Sequence, residues 1–165
     1  GRRLALTRLG AYKEPMARRP RRELTDGVFH TTARGTNRTR IVEDSIDCDA
    51  FTLLLRRVAR RWTWRLYAFC LMPNHHHIVV AATLEHLSRG MHALNGRHAT
   101  RFNRRHGRTG HLFQERFDAR LIDGDAYLEH ACRYVLDNPV RGGLVQHPLD
   151  WAWSGGEARH ALDGP

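Results

Sequence analysis

A chain of 165 residues with 41% hydrophobic side chains carries enough apolar surface for one core that needs no disulfide or structural-metal staple. No apolar run approaches the ~20 residues of a membrane helix and no hydrophobic segment follows the basic start, which leaves a soluble cytoplasmic protein as the expectation. A formal charge of +10 points to a polyanionic partner and makes nucleic acid the default.

Lys13 is the only lysine among the 27 basic residues; codon bias explains that ratio, but not the net excess of positive charge. Cys48, Cys70 and Cys132 are odd in number, widely spaced and outside any C-x-x-C. That excludes a disulfide framework and a cysteine zinc site, and each reads as a small core hydrophobe.

Residues 1–27 show no periodicity and hold Arg18, Arg19, Arg21 and Arg22 around Pro20. They read as a flexible basic arm, with residues 1–15, ahead of Met16, as an extension. Val28–Ala33 (VFHTTA) is β-prone and is closed by Gly35. Asp49 is read as the cap of a helix whose stripe is Phe51, Leu54, Leu55, Val58, Ala59 and Trp62, with Arg56, Arg57, Arg60 and Arg61 on the other face. Trp64–Met72 and His75–Ala81, joined by Pro73-Asn74, predict an antiparallel hairpin.

Thr83 caps a second helix, buried along Leu84, Leu87, Met91, Leu94 and Phe102 and ended by the Gly-rich stretch 107–110. Phe117–Ile122 alternates as a further strand. Asp125 is read as the cap of a last helix with Leu128, Ala131, Cys132, Val135 and Leu136 inside, and Pro139 sets its end. The order β-α-β-β-α-β-α predicts an α+β fold: a two-layer sandwich, one antiparallel sheet with the helices packed on one face. Residues 28–155 are taken as the working domain and 156–165 as a tail.

The informative segment is L-M-P-N-H-H-H-I-V-V, residues 71–80. On a strand, His75 and His77 share one face and His76 takes the other. Two imidazoles so spaced are a ready pair of neutral nitrogen donors for a divalent ion, although a polar strand end would look the same. In the last helix, Tyr134 and Asn138 are four residues apart and share a face. The Asn138 amide oxygen can complete a metal shell, and Tyr134 offers a phenol beside it. The plainer reading packs Tyr134 on the sheet and lets Asn138 cap the helix end before Pro139.

One reaction uses all of these groups. A phenol, with a reference pKa of about 10, is a poor nucleophile at neutral pH. A bound cation that polarises a phosphate makes its attack feasible. The tyrosine then keeps the phosphate as an ester and frees a 3′ hydroxyl, so rejoining needs no ATP. The chain accordingly has no G-x-x-x-x-G-K-[ST] loop.

M-P-N-H-x-H-I-V-V, then G-H-L-F-Q-E-R-F (110–117), Y-L-E-H-A-C-R-Y-V-L-D-N-P-V-R (127–141) and W-x-W-S near the end resemble, in that order, the REP-associated tyrosine transposases. These are single-domain relatives of the small HUH transposases. R-R-P-R-R (18–22) and H-T-T-A-R-G-T-N-R (30–38) fit their usual opening, so the likeness runs from about Met16 to Ser154. It implies a ferredoxin-like or RRM-like core and a Mg²⁺ or Mn²⁺ ion held by His75, His77 and Asn138. It also implies Tyr134 as the nucleophile in strand transfer on single-stranded DNA hairpins. Tyr127 is out of step with the family's tyrosine-then-amide spacing. His76 is a departure, because the family carries a bulky hydrophobe there; in a bulged strand His76 would replace a neighbour as ligand. The extension ahead of Met16 is a second departure.

Sequence-blind, salt-sensitive affinity is assigned to arginines on phosphates: Arg18, Arg19, Arg21 and Arg22 in the arm, Arg34 and Arg38 at the first strand and its loop, and Arg104, Arg105 and Arg108. Asn37 and His30 are placed to read or stack unpaired bases, whereas Trp151 and Trp153 are expected to pack on the body. The resulting expectation is a nucleoid-associated bacterial enzyme, monomeric rather than a homodimer that exchanges its tyrosine helix. Two competitors remain: a non-catalytic, repressor-like binding domain of the same fold, and a hydrolytic nuclease in which water attacks and Tyr134 is structural.

Overall fold

The computed structural model describes residues 26–160. The four arm arginines and residues 161–165 lie outside them. Strand β1 (Gly27–Arg34) alternates faces, with Phe29, Thr31 and Ala33 buried on one side and Val28, His30, Thr32 and Arg34 on the other. After a 3₁₀ turn at Thr36–Arg38, helix α1 spans Ser45–Arg61. Its cap is Asp44, whose carboxylate accepts from the Asp47 N–H at 3.1 Å. Asp49, the expected cap, lies inside the helix and accepts from the Trp153 indole instead. Several acidic residues precede the apolar stripe, and the stripe alone does not say which one adopts the extended cap conformation.

Strands β2 (Arg65–Met72) and β3 (His75–Ala82) form the expected hairpin across Pro73-Asn74. Helix α2 (Leu84–His106) starts where Thr83 accepts from the His86 N–H and ends at Gly107, whose φ of 61° is the left-handed conformation that closes a helix. At Gly90 it presses on Trp64: a Cβ there would sit 2.3 Å from Trp64 Cζ2. Strand β4 covers Asp118–Ile122, and α3 covers Asp125–Leu136. Gly124 is the α3 cap; Asp125, read as the cap, sits in the first turn, where its charge favours the helix N-terminus. Pro139 lacks an N–H, so α3 stops and one further turn, α4 (Asn138–Arg141), follows it.

The sheet is antiparallel throughout, in the order β4-β1-β3-β2 with a two-residue strand β5 (Ser154–Gly155) on the β2 edge. The α+β class and the antiparallel sheet are as expected, but the helices do not all share a face. Helices α1 and α2 bury Phe51, Leu55, Leu87 and Met91 against Phe69, Leu71, Ile78 and Val80. Helix α3 buries Cys132, Val135 and Leu136 against Ala68, Cys70, Met72 and Val79, which point the other way. The near-continuous apolar runs of β2 and β3 are the reason: a strand covered on both faces needs no polar side.

All three cysteines are free and buried, and burial pushes Cys48 and Cys70 up to about 12 and Cys132 to about 11, which makes them inert packing groups. Trp151 donates to the Leu71 carbonyl and packs edge-on against Trp153, so both indoles serve the body as expected. Residues Glu157–His160, within the stretch read as a tail, form a short helix α5. The Arg159 guanidinium ties it to the Leu149, Trp151 and Ser154 carbonyls. Among the described residues no helix is long and apolar enough to cross a membrane.

Candidate active site

The α3 face of the sheet carries a polar row where β1, β3 and β4 meet. Arg34 lies directly across from His75, Thr32 across from both His77 and Asp118, and His30 across from Arg120. His75 and His77 share this face, with ring centroids 4.9 Å apart. Helix α3 lays Tyr134 over them: its ring stands edge-on to His77 at 5.8 Å and to His30 at 6.0 Å. These rings, with Asn138 and Arg141, line a cavity of about 420 Å³ whose remaining wall includes Thr32, Arg34, Asp118 and Arg120. Tyr127, the competing phenol, is 64% exposed and does not line it. A larger groove of about 800 Å³, between α2 and residues 110–117, contains none of the expected site residues.

His76 takes the opposite face, as alternation demands. It is fully buried between Phe51 and Phe113, and its Nε2 meets the Asn95 amide oxygen at 2.9 Å. The β1–β3 register runs unbroken through His75, His76 and His77, so no bulge swings His76 into the cavity.

Protonation at His75 follows from a chain of hydrogen bonds. The Asn74 Nδ2 donates to the Arg38 carbonyl at 3.2 Å, which leaves Asn74 Oδ1 to accept from His75 Nδ1 at 2.6 Å. Burial, with Arg34 adding to it, pushes His75 down to about 4, so near neutrality the ring is uncharged and its Nε2 carries the lone pair. Burial also pushes His77 well down, and the nearby His30, His75 and His76 rings and Arg34, which would oppose a second positive charge there, add to it. The Asn138 Nδ2 donates to the Tyr134 carbonyl at 2.9 Å, leaving its oxygen as the donor atom available to a ligand.

No three His, Cys, Asp or Glu side chains among the described residues are grouped to hold a metal ion. The set on offer is two neutral imidazoles and one amide oxygen. Those donors fit a divalent cation that keeps water or phosphate oxygens in its other positions. Arg141 sits with its guanidinium 4.9 Å over the Tyr134 ring. The motif N-P-V-R carried this residue in the sequence, but nothing local marked it as a wall of the site. The same holds for Asp118 and Arg120, which only sheet pairing brings here.

The arginines divide. Arg34 lines the cavity, while Asn37 and Arg38 lie exposed in the turn after β1, both at positive φ. Arg104 and Arg108 are exposed at the end of α2, outside the cavity wall. Arg105 is not available as expected: it bonds Asp44 at 2.6 Å and Asp47 at 2.7 Å, with His106 on the second Asp47 oxygen at 2.8 Å. The Arg105 hydrogen bond pulls Asp44 down to about 2. Burial pushes Asp47 up, but the Glu43 N–H, His106 and Arg105 outweigh it and leave the carboxyl below its ordinary value. The α1 N-terminus supplies the acids that claim this guanidinium, a pairing invisible along the chain.

Comparison with solved structures returns the REP-associated tyrosine transposase bound to a REP hairpin. The match has a TM-score of 0.67 at 18% identity and covers 94% of this chain and 87% of that one. A protein of Deinococcus radiodurans R1 named as a candidate transposase also matches, at 19% identity over 74% of this chain and 97% of its own, with a TM-score of 0.49. Among curated protein sequences none matches. The family model for IS200-like transposases matches residues 24–138, from just ahead of β1 to Asn138 itself. With most of the folded body inside that match, the chain belongs to the IS200-like transposase family.

Proposed function

We propose that this protein cleaves and rejoins single-stranded DNA at hairpin-forming repeats through a 5′-phosphotyrosine intermediate on Tyr134. The observation that carries this reading is the meeting of Tyr134 with the His75/His77 pair in one polar cavity, from elements more than fifty residues apart. The DNA hairpin held by the solved transposase with the same fold supports the substrate class.

In this reading the Tyr134 oxygen attacks the scissile phosphorus as the bond to the 3′ oxygen breaks. The phenol gives up its proton, and the departing 3′ oxygen takes one up to become a hydroxyl. Rejoining reverses the step: a 3′ hydroxyl attacks the phosphotyrosine and Tyr134 regains its proton. Energy is conserved in the ester, so no nucleotide cofactor is required. Packing of the Tyr134 ring against His77 and under Arg141 restricts the phenol to one approach. His75, His77 and Asn138 would hold Mg²⁺ or Mn²⁺, which when bound supplies Lewis-acid stabilisation of charge on the phosphate. Arg34 and Arg141 are cavity-wall cations suited to phosphate oxygens. Arg38, Arg104, Arg108 and the arm extend the phosphate contacts, and Asn37 reads an unpaired base. The protein works as a monomer on nucleoid DNA.

The test is a labelled hairpin oligonucleotide incubated with the protein and Mn²⁺, then run on a denaturing gel. Wild type should form a protein-linked product, and Tyr134→Phe should lose it while still binding DNA. Cutting without an adduct would instead identify a hydrolytic nuclease. Binding indifferent to EDTA, with no cutting, would identify a non-catalytic DNA-binding domain.

A further inference from the structure

His75 has a fixed hydrogen-bond acceptor behind its ring, and His77 has a counterpart that does not come from its own strand. In the β1–β3 register Thr32 stands across from His77, which makes His30 the diagonal neighbour on the same face. There His30 Nε2 meets His77 Nδ1 at 3.0 Å, with the ring centroids 5.1 Å apart. His77 is only 6% exposed, so solvent has little access to take over that contact.

A bond between two imidazole nitrogens needs a proton on one and a lone pair on the other. The two arrangements have opposite consequences. If His30 donated, neutral His77 would carry its proton on Nε2, and the ring would have no lone pair left for a cation. If His77 donates, its Nε2 is bare, in the same state that Asn74 imposes on His75.

Resting on the reading of the cavity as a cation site, we propose that His30 is a positioning residue that accepts the Nδ1–H of His77 and so selects its ligand-competent tautomer. The pair His75/His77 then has one acceptor behind each ring, Asn74 from the turn and His30 from β1. Such outer partners fix both the orientation and the basicity of a ligating imidazole. A ligand role for His30 through Nε2 is opposed by its geometry, because that nitrogen is engaged with His77.

The experiment is nitrogen-15 NMR of the histidine rings in metal-free protein, joined to Mn²⁺ titration by calorimetry, on wild type, His30→Phe and His30→Gln. Wild type should show His77 as the Nδ1–H tautomer. His30→Phe keeps an aromatic ring but offers no acceptor, and should weaken Mn²⁺ binding by about 10–100-fold. His30→Gln offers an amide oxygen and should recover much of the loss. A His77 ring protonated on Nε2 in wild type, or full Mn²⁺ affinity in a folded His30→Phe, overturns the inference. The cation reading fails separately, if His75→Ala and His77→Ala bind Mn²⁺ as tightly as wild type. The wild-type tautomer still decides the role of His30 in that event, and also if His30→Phe does not fold.

Discussion

Asn138 donates its side-chain amide to the backbone carbonyl of Tyr134 at 2.9 Å, one turn back along the chain. The bond occupies the amide nitrogen and leaves the oxygen as the atom available to a ligand in the cavity that Asn138 lines. The same contact satisfies a carbonyl in the last turn of α3, where helix carbonyls run out of backbone partners. Asn138 therefore ties down the last turn of α3 and lines the same cavity as the two imidazoles. Asn138→Ala should lower Mn²⁺ affinity at least about tenfold. It should also reduce unfolding stability by about 1 kcal/mol, measured by urea titration. Unchanged calorimetric affinity would remove Asn138 from the ligand set.

Arg105 and Arg108 lie three residues apart and should behave oppositely. Removing Arg105 leaves Asp47, which is 1% exposed, with one oxygen unpaired, so Arg105→Ala should cost about 3 kcal/mol of stability. Its effect on the salt dependence of DNA binding should be slight. Arg108→Ala should leave the melting temperature unchanged and reduce the slope of log K against log salt by about 1. Reversed results would return Arg105 to the phosphate contacts.

Acid should unfold the metal-free protein through its buried histidines. Burial pushes His76 down to about 4, against the pull of its Asn95 hydrogen bond, whereas in the unfolded chain it titrates near 6.5. As pH falls below 6.5 the unfolded state takes up the proton first. Stability from this residue is therefore complete above pH 6.5 and is lost progressively toward pH 4. His76→Leu should reduce that loss by about 3 kcal/mol, from denaturant titrations in EDTA at both ends of the window. An equal pH dependence in the two proteins would mean that His76 is accessible to protons when folded.

Gly90→Ala tests the contact between α2 and the start of the hairpin. Alanine gains about 1 kcal/mol of helix propensity over glycine. Here the methyl would meet the Trp64 ring at 2.3 Å, so the helix must move away. Overpacking should win, with a net loss of about 1–2 kcal/mol in urea-denaturation stability. A more stable variant would mean that Trp64 swings aside at no cost.

Much of the site was already legible along the chain because its logic is local. Alternation on β3 put His75 and His77 together and His76 apart, whatever the strand paired with. Helical spacing placed Asn138 one turn from Tyr134, and Thr83 announced the start of α2. The limits of local reasoning appear at the caps: Asp49 and Asp125 matched a cap's chemistry, but Asp44 and Gly124 held the backbone conformation of one.

The sequence alone thus determined the periodicities, the shared faces and the sign of the surface charge, all properties of a few neighbouring residues. Tertiary structure decided that α3 crosses to the other side of the sheet, and that crossing carries Tyr134 to the imidazoles. It also decided that His30 meets His77 across forty-seven residues and that Arg105 is claimed by Asp44 and Asp47. Each of these depends on strand register or helix docking, in which long-range burial selects among partners that local preference leaves equal.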